Sequence, residues 1–387
     1  MNQFRDLIRK LDQAGELLTV NRSVSAQYEL GALLKRAEAR RKAILFTSVT
    51  NSDFPVVASM LTSAQRIAQW LCLEYEPNFS RSQHADLIRA AIESPIGVAE
   101  VSDAPCKEVC VDAAVVDCDN LPAPTFFADD SGPFLTAAVG ISKNPDNGVL
   151  NAGIYRILML GGNQVAVSVG PSSDLFRFIV SAQEQGVTIS IALAIGPSPA
   201  LLMASAAKVP ADKSELDVAG ALNGAALEVI RAETSDLLVP ADAEFVIELE
   251  VNPTATIINK MGEFGDYYGE QLARVATVTA ITHRKDAVFH ALLAGAGIEH
   301  NSIGFIVLYE IERTLRALIS ESYPSVGDLR MHFDPPRMGV LGDIYIQLKL
   351  SADIDTKQLM EDVFALRCNE FDIARLVRRI VVVDSDI

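Results

Sequence analysis

Hydrophobic and polar positions follow a helical pattern near the N-terminus. Apolar residues recur at three- to four-residue spacing over residues 4–18 and 28–41, which predicts two amphipathic helices. Short apolar runs, A-I-L-F-T-S-V and P-V-V-A-S-M-L, predict strands, and S-A-Q-R-I-A-Q-W-L-C predicts another helix. Helices that alternate with strands in this way indicate a small α/β unit.

The central part of the chain has a different pattern, from about residue 120 to about residue 295. Short β-rich runs are separated by Gly and Pro, among them L-T-A-A-V-G-I-S, G-I-Y-R-I-L-M-L, Q-V-A-V-S-V-G and E-F-V-I-E-L-E-V. Many short strands with few long helices predict an antiparallel sheet that closes toward a barrel. The proline-bearing segment N-L-P-A-P-T-F-F marks the boundary before this sheet.

The last part of the chain returns to α/β patterning. It contains the apolar runs I-G-F-I-V-L-Y and D-I-Y-I-Q-L-K-L, a helical segment D-T-K-Q-L-M-E-D-V-F-A-L, and a terminal strand R-R-I-V-V-V-D. We therefore predict a multi-domain chain of the α+β or α/β class. Its units are an N-terminal α/β domain in residues 1–118, a β-barrel domain in residues 119–300 and a C-terminal α/β domain in residues 301–387.

Composition excludes some partners. The chain has 387 residues, 49% of them hydrophobic, and a formal net charge of −17. Non-specific nucleic-acid binding requires clustered Lys and Arg, so we expect no nucleic-acid partner. No apolar run approaches the ~20 residues of a membrane helix, and the N-terminal segment is charged throughout, unlike a signal peptide. We expect a cytoplasmic protein without a membrane partner.

Cysteine and histidine spacing gives no metal or triad pattern. Cys106 and Cys110 form C-x3-C and Cys118 follows, but no histidine lies near them in the sequence. The five histidines are scattered. We interpret the cysteines as reduced structural thiols.

The stretch N-A-G-I-Y-R-I-L-M-L places Arg156 inside a segment that otherwise has the pattern of a buried strand. An unpaired buried charge costs several kcal/mol, so Arg156 has an anionic partner or faces a cavity that binds an anion. Asn151 lies five positions earlier. On a regular strand the two side chains point to opposite faces and lie ~16 Å apart, unless the strand bends at Gly153.

Three further segments carry candidate chemistry, and each has a simpler interpretation. G-P-S-S-D-L-F-R-F offers Ser172 or Ser173 as an N-cap and free helix amides for a phosphate, or it is an ordinary helix start. Glu215 opens a small-residue helix after A-S-A-A-K-V-P, where it could simply complement the helix dipole. K-M-G-E-F-G-D-Y-Y-G-E holds Glu263 and Asp266 in a loop over a cavity or in a solvated turn.

Taken in order, these motifs resemble the UbiD family of reversible decarboxylases. The resemblance is carried by N-x-G-x-Y-R, A-x-G-x-x-P-A-x-x-x-A-S, S-E-x-x-x-A-G-A-L-x-G, E-T-x-D-L-x-V-P-A-x-A-E and G-x-F-G-[DE]-Y-x-G. It covers most of the chain from about residue 100. Several separated motifs in the correct order are far more specific than one.

The resemblance implies a prenylated flavin mononucleotide (prFMN) held in a split β-barrel domain of the flavin-reductase-like type. It also implies Mn²⁺ or Mg²⁺, and often K⁺, at the phosphate. The family's metal-binding Asn and Glu match Asn151 and Glu215, and its His position falls at Asp174, which is still a suitable oxygen ligand. The cofactor contacts that the resemblance implies are Asn151, Ile154, Tyr155, Arg156, Ser173, Asp174, Ser205, Ala206 and Glu215.

The resemblance also implies a Glu-Arg-Glu catalytic set. Its arginine matches Arg156, which we expect to bind the substrate carboxylate. Its second acid is kept as Asp266, the expected proton donor, whereas its first acid falls at Met261. Glu263, two residues later, is a candidate helper.

The implied function is non-oxidative, reversible decarboxylation of an aromatic, heteroaromatic or α,β-unsaturated carboxylic acid. A flavin prenyltransferase would supply the cofactor, and we expect a homodimer or higher homo-oligomer. The C-terminal domain is short relative to the family, whose longer members continue into a segment that helps dimerisation. Two alternatives stay open: a carboxylase that acts in the reverse direction, and a non-catalytic UbiD-like subunit or flavin-binding protein.

Overall fold

The N-terminal part contributes helices and three strands to a small four-stranded sheet, whose fourth strand is Phe289–His290. The computed structural model describes residues 3–62, 66–67, 70, 81–171, 173–262, 268–295, 297–332, 342–349, 354–368, 371–373 and 377–384. Most of the predicted helix 63–72 lies outside these residues. The first elements are α1 (Phe4–Gln13), β1 (Leu17–Val20), α2 (Glu29–Glu38), β2 (Ala43–Phe46), β3 (Val56–Ala58), α3 (Arg81–Glu93) and β4 (Ala99–Glu100).

Helix α1 begins where the pattern predicts but ends before the predicted residue 18. Its apolar positions Phe4, Leu7 and Leu11 are buried on one face. Gly15 then adopts a φ of +66°, a conformation that glycine reaches at little cost and that stops the helix. Leu17 and the residues after it instead pair in parallel with β2.

The central part is a closed antiparallel β-barrel, as predicted. Six strands follow the order β12-β9-β6-β7-β8-β13, and β12 also pairs with β13, which closes the barrel. Strand β5 adds to the outside edge of β13. The strands are β5 (Val109–Asp112), β6 (Phe134–Lys143), β7 (Leu150–Gly161), β8 (Gln164–Ser168), β9 (Ile189–Ile195), β12 (Phe245–Gly262) and β13 (Tyr268–His283).

Short helices and two short strands lie between β8 and β12 and cover one side of the barrel. Strands β10 and β11 form a small sheet with β4. The apolar residues of β7 divide between two cores: Tyr155 and Ile157 pack with one, and Ala152 and Ile154 with the other, which also holds the helices of residues 199–204 and 215–223. The elements are α4 (Asp174–Gln185), α5 (Pro199–Ala204), α6 (Glu215–Asn223), β10 (Glu228–Arg231) and β11 (Leu238–Pro240).

The C-terminal part has its own core around a sheet of order β15-β16-β19. The apolar run at residues 303–309 lies inside a long helix, α7. No helix among the described stretches is both long and apolar enough to cross a membrane. The elements are β14 (Phe289–His290), α7 (Ile298–Ser322), β15 (Val326–His332), β16 (Gly342–Leu348), α8 (Thr356–Ala365), β17 (Arg367–Cys368), β18 (Phe371–Asp372) and β19 (Val377–Val383).

Some strands pair across the predicted domain boundaries. Strand β5 belongs to the predicted N-terminal domain and pairs with β13 of the barrel. Strand β14 follows the barrel in the chain and pairs in parallel with β3. The division at residues 118 and 300 stays a prediction.

A buried carboxylate fixes the first turn of α7. Glu38 accepts the backbone N–H groups of Ile298 at 2.8 Å and Glu299 at 3.2 Å. The Glu299 carboxylate in turn accepts backbone N–H groups from the segment after β3, including that of Ser59 at 2.6 Å and that of Leu61 at 2.9 Å. These bonds satisfy helix amides that would otherwise lack partners, and they hold the first turn of α7 against the N-terminal sheet.

Candidate functional site

Strand β7 carries the candidate site, and two glycines make room for its tyrosine. Gly153 pairs with Gly140 on β6, and the ring of Tyr155 covers both. A Cβ atom at Gly153 would lie 2.6 Å from Tyr155 Oη, and one at Gly140 would lie 2.7 Å from Tyr155 Cδ2. Burial raises the pKa of Tyr155, so the phenol stays protonated.

The irregular part of the β6–β7 ladder lies opposite Arg156 and not at Gly153, the position at which the sequence left a bend open. Pairing is regular at Gly153, and the register shifts on β6 between Leu135 and Ala138. Thr136 lies in this bulge, and its Oγ1 accepts the backbone N–H of Leu292 at 3.0 Å. A bulge re-aims nearby side chains, and here it turns β6 toward the segment after β14.

A cavity of about 230 Å³ lies beside this bulge. Ile154, Tyr155 and Arg156 of β7 line it, together with Ser173 and His300. A dry cavity of about 150 Å³ already holds benzene in another protein, so this one has room for a single ring with a small substituent. The cavity combines a permanent cation with an apolar wall.

His300, in the first turn of α7, faces Arg156. The backbone N–H of Gly295 donates to His300 Nδ1 at 3.0 Å, which places the proton of the neutral ring on Nε2. Burial, and then the positive charge of Arg156, lower the pKa of His300 to about 4. The imidazole is therefore neutral near pH 7. We call Arg156, His300 and Thr136 the Arg156 end of the site.

Glu215 is the first residue of α6 and is only 3% exposed. Its Oε2 accepts the backbone N–H of Ala152 at 2.8 Å, and its Oε1 accepts Asn151 Nδ2–H at 3.2 Å. Burial raises the pKa of Glu215 to about 7, against the opposing effect of the bond from Ala152. Asn151 Oδ1 is buried and has no hydrogen-bond partner within the described part of the chain. A carboxylate beside such an oxygen suits a hard divalent cation.

Asp174, the third predicted metal ligand, is engaged in ion pairs. It is the first residue of α4, after the N-cap Ser173. Its Oδ2 lies 3.2 Å from Lys208 Nζ, and its Oδ1 pairs with Arg177. The positive charge of Lys208 also lowers the pKa of Glu215, so this ammonium group acts on both carboxylates. We call Asn151, Glu215, Asp174 and Lys208 the Glu215 end of the site.

Within the described ranges, no cluster of three or more His, Cys, Asp or Glu side chains could hold a metal ion. A divalent ion at the Glu215 end would therefore depend on the amide oxygen of Asn151 as well as on carboxylates. The role of Asp174 as a metal ligand stays a prediction. The hydroxyl of Ser205 donates to the Leu201 carbonyl oxygen at 2.7 Å, and the cofactor contacts predicted at Ser205 and Ala206 also stay predictions.

The predicted acids Glu263 and Asp266 lie outside the described residues. Met261, which the motif resemblance matches to the family's first acid, is 4% exposed and packs in the barrel core. It pairs with Gly269 across the β12–β13 hairpin. The thioether of Met261 cannot exchange a proton, so any acid in this segment must come from another residue.

Sequence reasoning did not single out Lys208, His300 or Thr136. Lys208 lies in the quoted motif A-S-A-A-K-V-P, where a charged residue among small ones was a usable signal. His300 reaches Arg156 from 144 positions later in the chain, and no local pattern marks that contact.

Comparison with known proteins identifies the family. Residues 98–297 match the model of the 3-octaprenyl-4-hydroxybenzoate carboxy-lyase Rift-related domain (UbiD). Residues 8–79 match the N-terminal domain of the same carboxy-lyases. The chain belongs to the UbiD family. The resemblance in its motifs is thereby confirmed.

Individual UbiD relatives are similar over much of the chain. It is 30% identical over 295 residues to anhydromevalonate phosphate decarboxylase of Methanothermobacter thermautotrophicus, covering 75% of this chain and 66% of that protein. It is 29% identical over 331 residues to an uncharacterized protein in the cooM 5′ region of Rhodospirillum rubrum, covering 84% and 69%. The chain thus spans about two thirds of the length of these two relatives.

A solved structure with the same fold contains the flavin. It is an evolved dimeric form of the UbiD-class enzyme HmfF from Pelotomaculum thermopropionicum, in complex with prFMN. The two structures superpose with a TM-score of 0.84 at 30% identity, covering 100% of this chain and 86% of that one. The multi-domain α/β architecture with its barrel is therefore the UbiD architecture.

Proposed function

We propose that this UbiD-family protein is a prFMN-dependent, non-oxidative decarboxylase of an aromatic, heteroaromatic or α,β-unsaturated carboxylic acid. The observation that carries the proposal is Arg156, which lines a ring-sized cavity beside the neutral imidazole of His300. An organic acid needs both features, an apolar wall for its carbon skeleton and a cation for its carboxylate. The flavin in the HmfF structure supports the choice of cofactor.

Arg156 would bind and orient the substrate carboxylate. A guanidinium donates two parallel hydrogen bonds to a carboxylate, which fixes the bond that breaks. In the net reaction the carboxylate carbon leaves as CO₂, and the electron pair left on the neighbouring carbon takes up one proton. The cofactor, when bound, supplies the electron sink for that pair. Asp266 stays our proposed donor of the proton.

The Glu215 end would hold the divalent metal. Asn151 Oδ1 and the Glu215 carboxylate are oxygen ligands of the kind that Mn²⁺ and Mg²⁺ accept, and both are buried next to each other. The metal would contribute positive charge for the cofactor phosphate at this end of β7.

Further parts of the proposal concern supply and assembly. A flavin prenyltransferase would provide prFMN, and K⁺ would accompany the divalent metal. The protein would act in the cytoplasm as a homodimer or higher homo-oligomer. The dimeric form of the HmfF enzyme supports the last point.

The test is production of the protein together with a flavin prenyltransferase. We expect the purified protein to carry prFMN, identified by absorbance and by the mass of the released cofactor. We expect CO₂ release from at least one member of a panel of aromatic, heteroaromatic and acrylic acids. Protein that binds no flavin under these conditions contradicts the proposal. With ¹³C-bicarbonate and the product, incorporation of ¹³C would identify the carboxylase direction.

A non-catalytic flavin-binding subunit is the second candidate. It is favoured by the buried Met261 at the position of an acid. Protein that binds prFMN but releases no CO₂ from any acid of the panel would support this second candidate.

A further inference from the structure

Lys208 lies close to the first residues of two helices. Its ammonium group is 3.2 Å from Asp174, which begins α4, and its charge acts on Glu215, which begins α6. The Lys208 side chain is 25% exposed, so it is accessible to a ligand. Its Nζ donates to Asp174 Oδ2.

We propose that Lys208 binds the phosphate of the flavin cofactor directly, and that Asp174 positions Lys208 instead of ligating the divalent metal. The inference rests on the proposed function, because it requires a phosphate-bearing cofactor at this site. It assigns separate roles to two residues of the Glu215 end: Glu215 serves the metal, and Asp174 serves the lysine.

The cavity at the Arg156 end extends to the residue that precedes α4. Ser173 lines the cavity beside Arg156 and is also the N-cap of α4, next to Asp174. A ligand in the cavity that extends past Ser173 therefore reaches the beginning of α4, where the free amides of the first turn favour an anion. Lys208 is bonded to that same turn.

Charge balance at the Glu215 end requires a cation near the phosphate. A phosphate monoester carries a charge of about −1.5 to −2 near pH 7. Asp174 and Glu215 would repel it, since like charges at short range are unfavourable. The ammonium group of Lys208 is a compact point charge, which suits a phosphate. It belongs to the protein chain itself and so does not have to be bound from solution.

The contacts of Asp174 assign it to the lysine. One of its oxygens pairs with Lys208 and the other with Arg177. Asn151 Oδ1, in contrast, has no hydrogen-bond partner in the described parts of the chain, and it adjoins Glu215.

The test compares two flavins that differ only in the phosphate. Binding of FMN and of riboflavin is measured by quenching of flavin fluorescence in the presence of Mn²⁺. The variant is Lys208→Met, and the control is Lys357→Met, which removes an 83% exposed lysine of α8. We expect Lys208→Met to weaken FMN binding roughly 10- to 100-fold, the loss for a charged hydrogen bond, and to leave riboflavin binding unchanged. The Lys357→Met control should bind both flavins like the wild type.

A conservative variant distinguishes loss of the lysine charge from misfolding of the protein. Lys208→Arg keeps the charge and should bind FMN within about threefold of the wild type. Unchanged FMN binding by Lys208→Met, or an equal loss for riboflavin, would overturn the inference while leaving the proposed function intact. A wild-type protein that binds neither flavin would instead contradict the proposed function.

The role of Asp174 has its own measurement. Mn²⁺ affinity is determined by electron paramagnetic resonance titration of Asp174→Asn and Glu215→Gln. We expect Asp174→Asn to retain Mn²⁺ affinity within about threefold, and Glu215→Gln to lose at least about tenfold, as expected when a metal ligand is altered. Equal losses in the two variants would make Asp174 a metal ligand and refute the positioning role.

Discussion

The Arg156 end and the Glu215 end of the site carry opposite arrangements of charge. At the Arg156 end a guanidinium lies beside an imidazole that is neutral because burial and Arg156 depress its pKa. At the Glu215 end two carboxylates lie with a lysine and a buried amide oxygen that has no hydrogen-bond partner among the described residues. One end is thus suited to an organic anion and the other to a metal ion with a phosphate. One strand can serve both chemistries because Asn151 and Arg156 are five positions apart on it.

The largest effect is expected at the Arg156 end. Arg156→Met should lower the rate of CO₂ release by about 10²- to 10³-fold, the usual loss when a preorganised charge-stabilising donor is removed. Flavin and Mn²⁺ should remain bound, because we propose that the phosphate and metal contacts lie at the Glu215 end. The measurement is turnover of the reconstituted enzyme together with its flavin and metal content.

Arg231→Met is the matched control, since Arg231 is 60% exposed and pairs only weakly, at 3.7 Å, with Glu100. It should retain full activity. Loss of flavin from Arg156→Met, instead of loss of turnover, would show that the two ends do not have separate roles.

The neutral state of His300 predicts a pH dependence of stability. The folded pKa of about 4 lies below the ordinary value of 6.5, so between these values the unfolded chain binds a proton that the folded chain does not. The contribution of neutral His300 to the free energy of unfolding is therefore fully present above about pH 6.5 and is lost as the pH falls toward 4. The full contribution is about 3 kcal/mol. His300→Asn should remove that part of the acid destabilisation, measured as the difference in urea unfolding free energy between pH 4.5 and pH 7.

His332→Asn is the control for this change, because His332 is exposed on β15. It should leave the pH dependence of the wild type intact. Arg156→Met removes the positive charge that opposes protonation of His300. The pKa of His300, measured by NMR, should therefore rise in this variant. An unchanged pKa there would mean that the two groups are not coupled.

The smallest effect is expected from the glycines between the two ends. Gly153→Ala places a methyl group against the buried Tyr155 ring and should cost about 1–3 kcal/mol of unfolding free energy, the usual range for overpacking. The control is Gly97→Ala, because a Cβ atom at Gly97 meets nothing within 4 Å. Gly148→Ala would not serve, because Gly148 has a positive φ. Equal stability of the two variants would show that Tyr155 does not need the space at Gly153.

Sequence patterns predicted the parts of the site that are local. Arg156 in an apolar strand, Ser173 at a helix start and Glu215 in a first helical turn follow from short-range periodicity and capping rules. The barrel was predictable because many short β-rich runs with few long helices are typical of an antiparallel sheet that closes toward a barrel. Its longest hairpin, β12 with β13, has strands of 18 and 16 residues, longer than the apolar runs that marked it.

Contacts between distant segments could not be predicted in this way. The pair of Lys208 with Asp174 and the approach of His300 to Arg156 arise from tertiary packing. The same holds for the bulge opposite Arg156, since it depends on the pairing of β6 with β7 and not on Gly153 alone. The register of a β-ladder is a property of two strands, so one strand's sequence does not reveal where it shifts.

We propose that the Arg156 end and the Glu215 end belong to one cofactor site. A crystal structure of the protein with FMN and Mn²⁺ tests it most directly, with anomalous scattering used to place the metal. We predict a metal between Asn151 and Glu215, the phosphate beside Lys208, and the flavin ring toward Arg156. Flavin density elsewhere, for example in the separate cavity of about 560 Å³ beside Asp53 and His283, would contradict it.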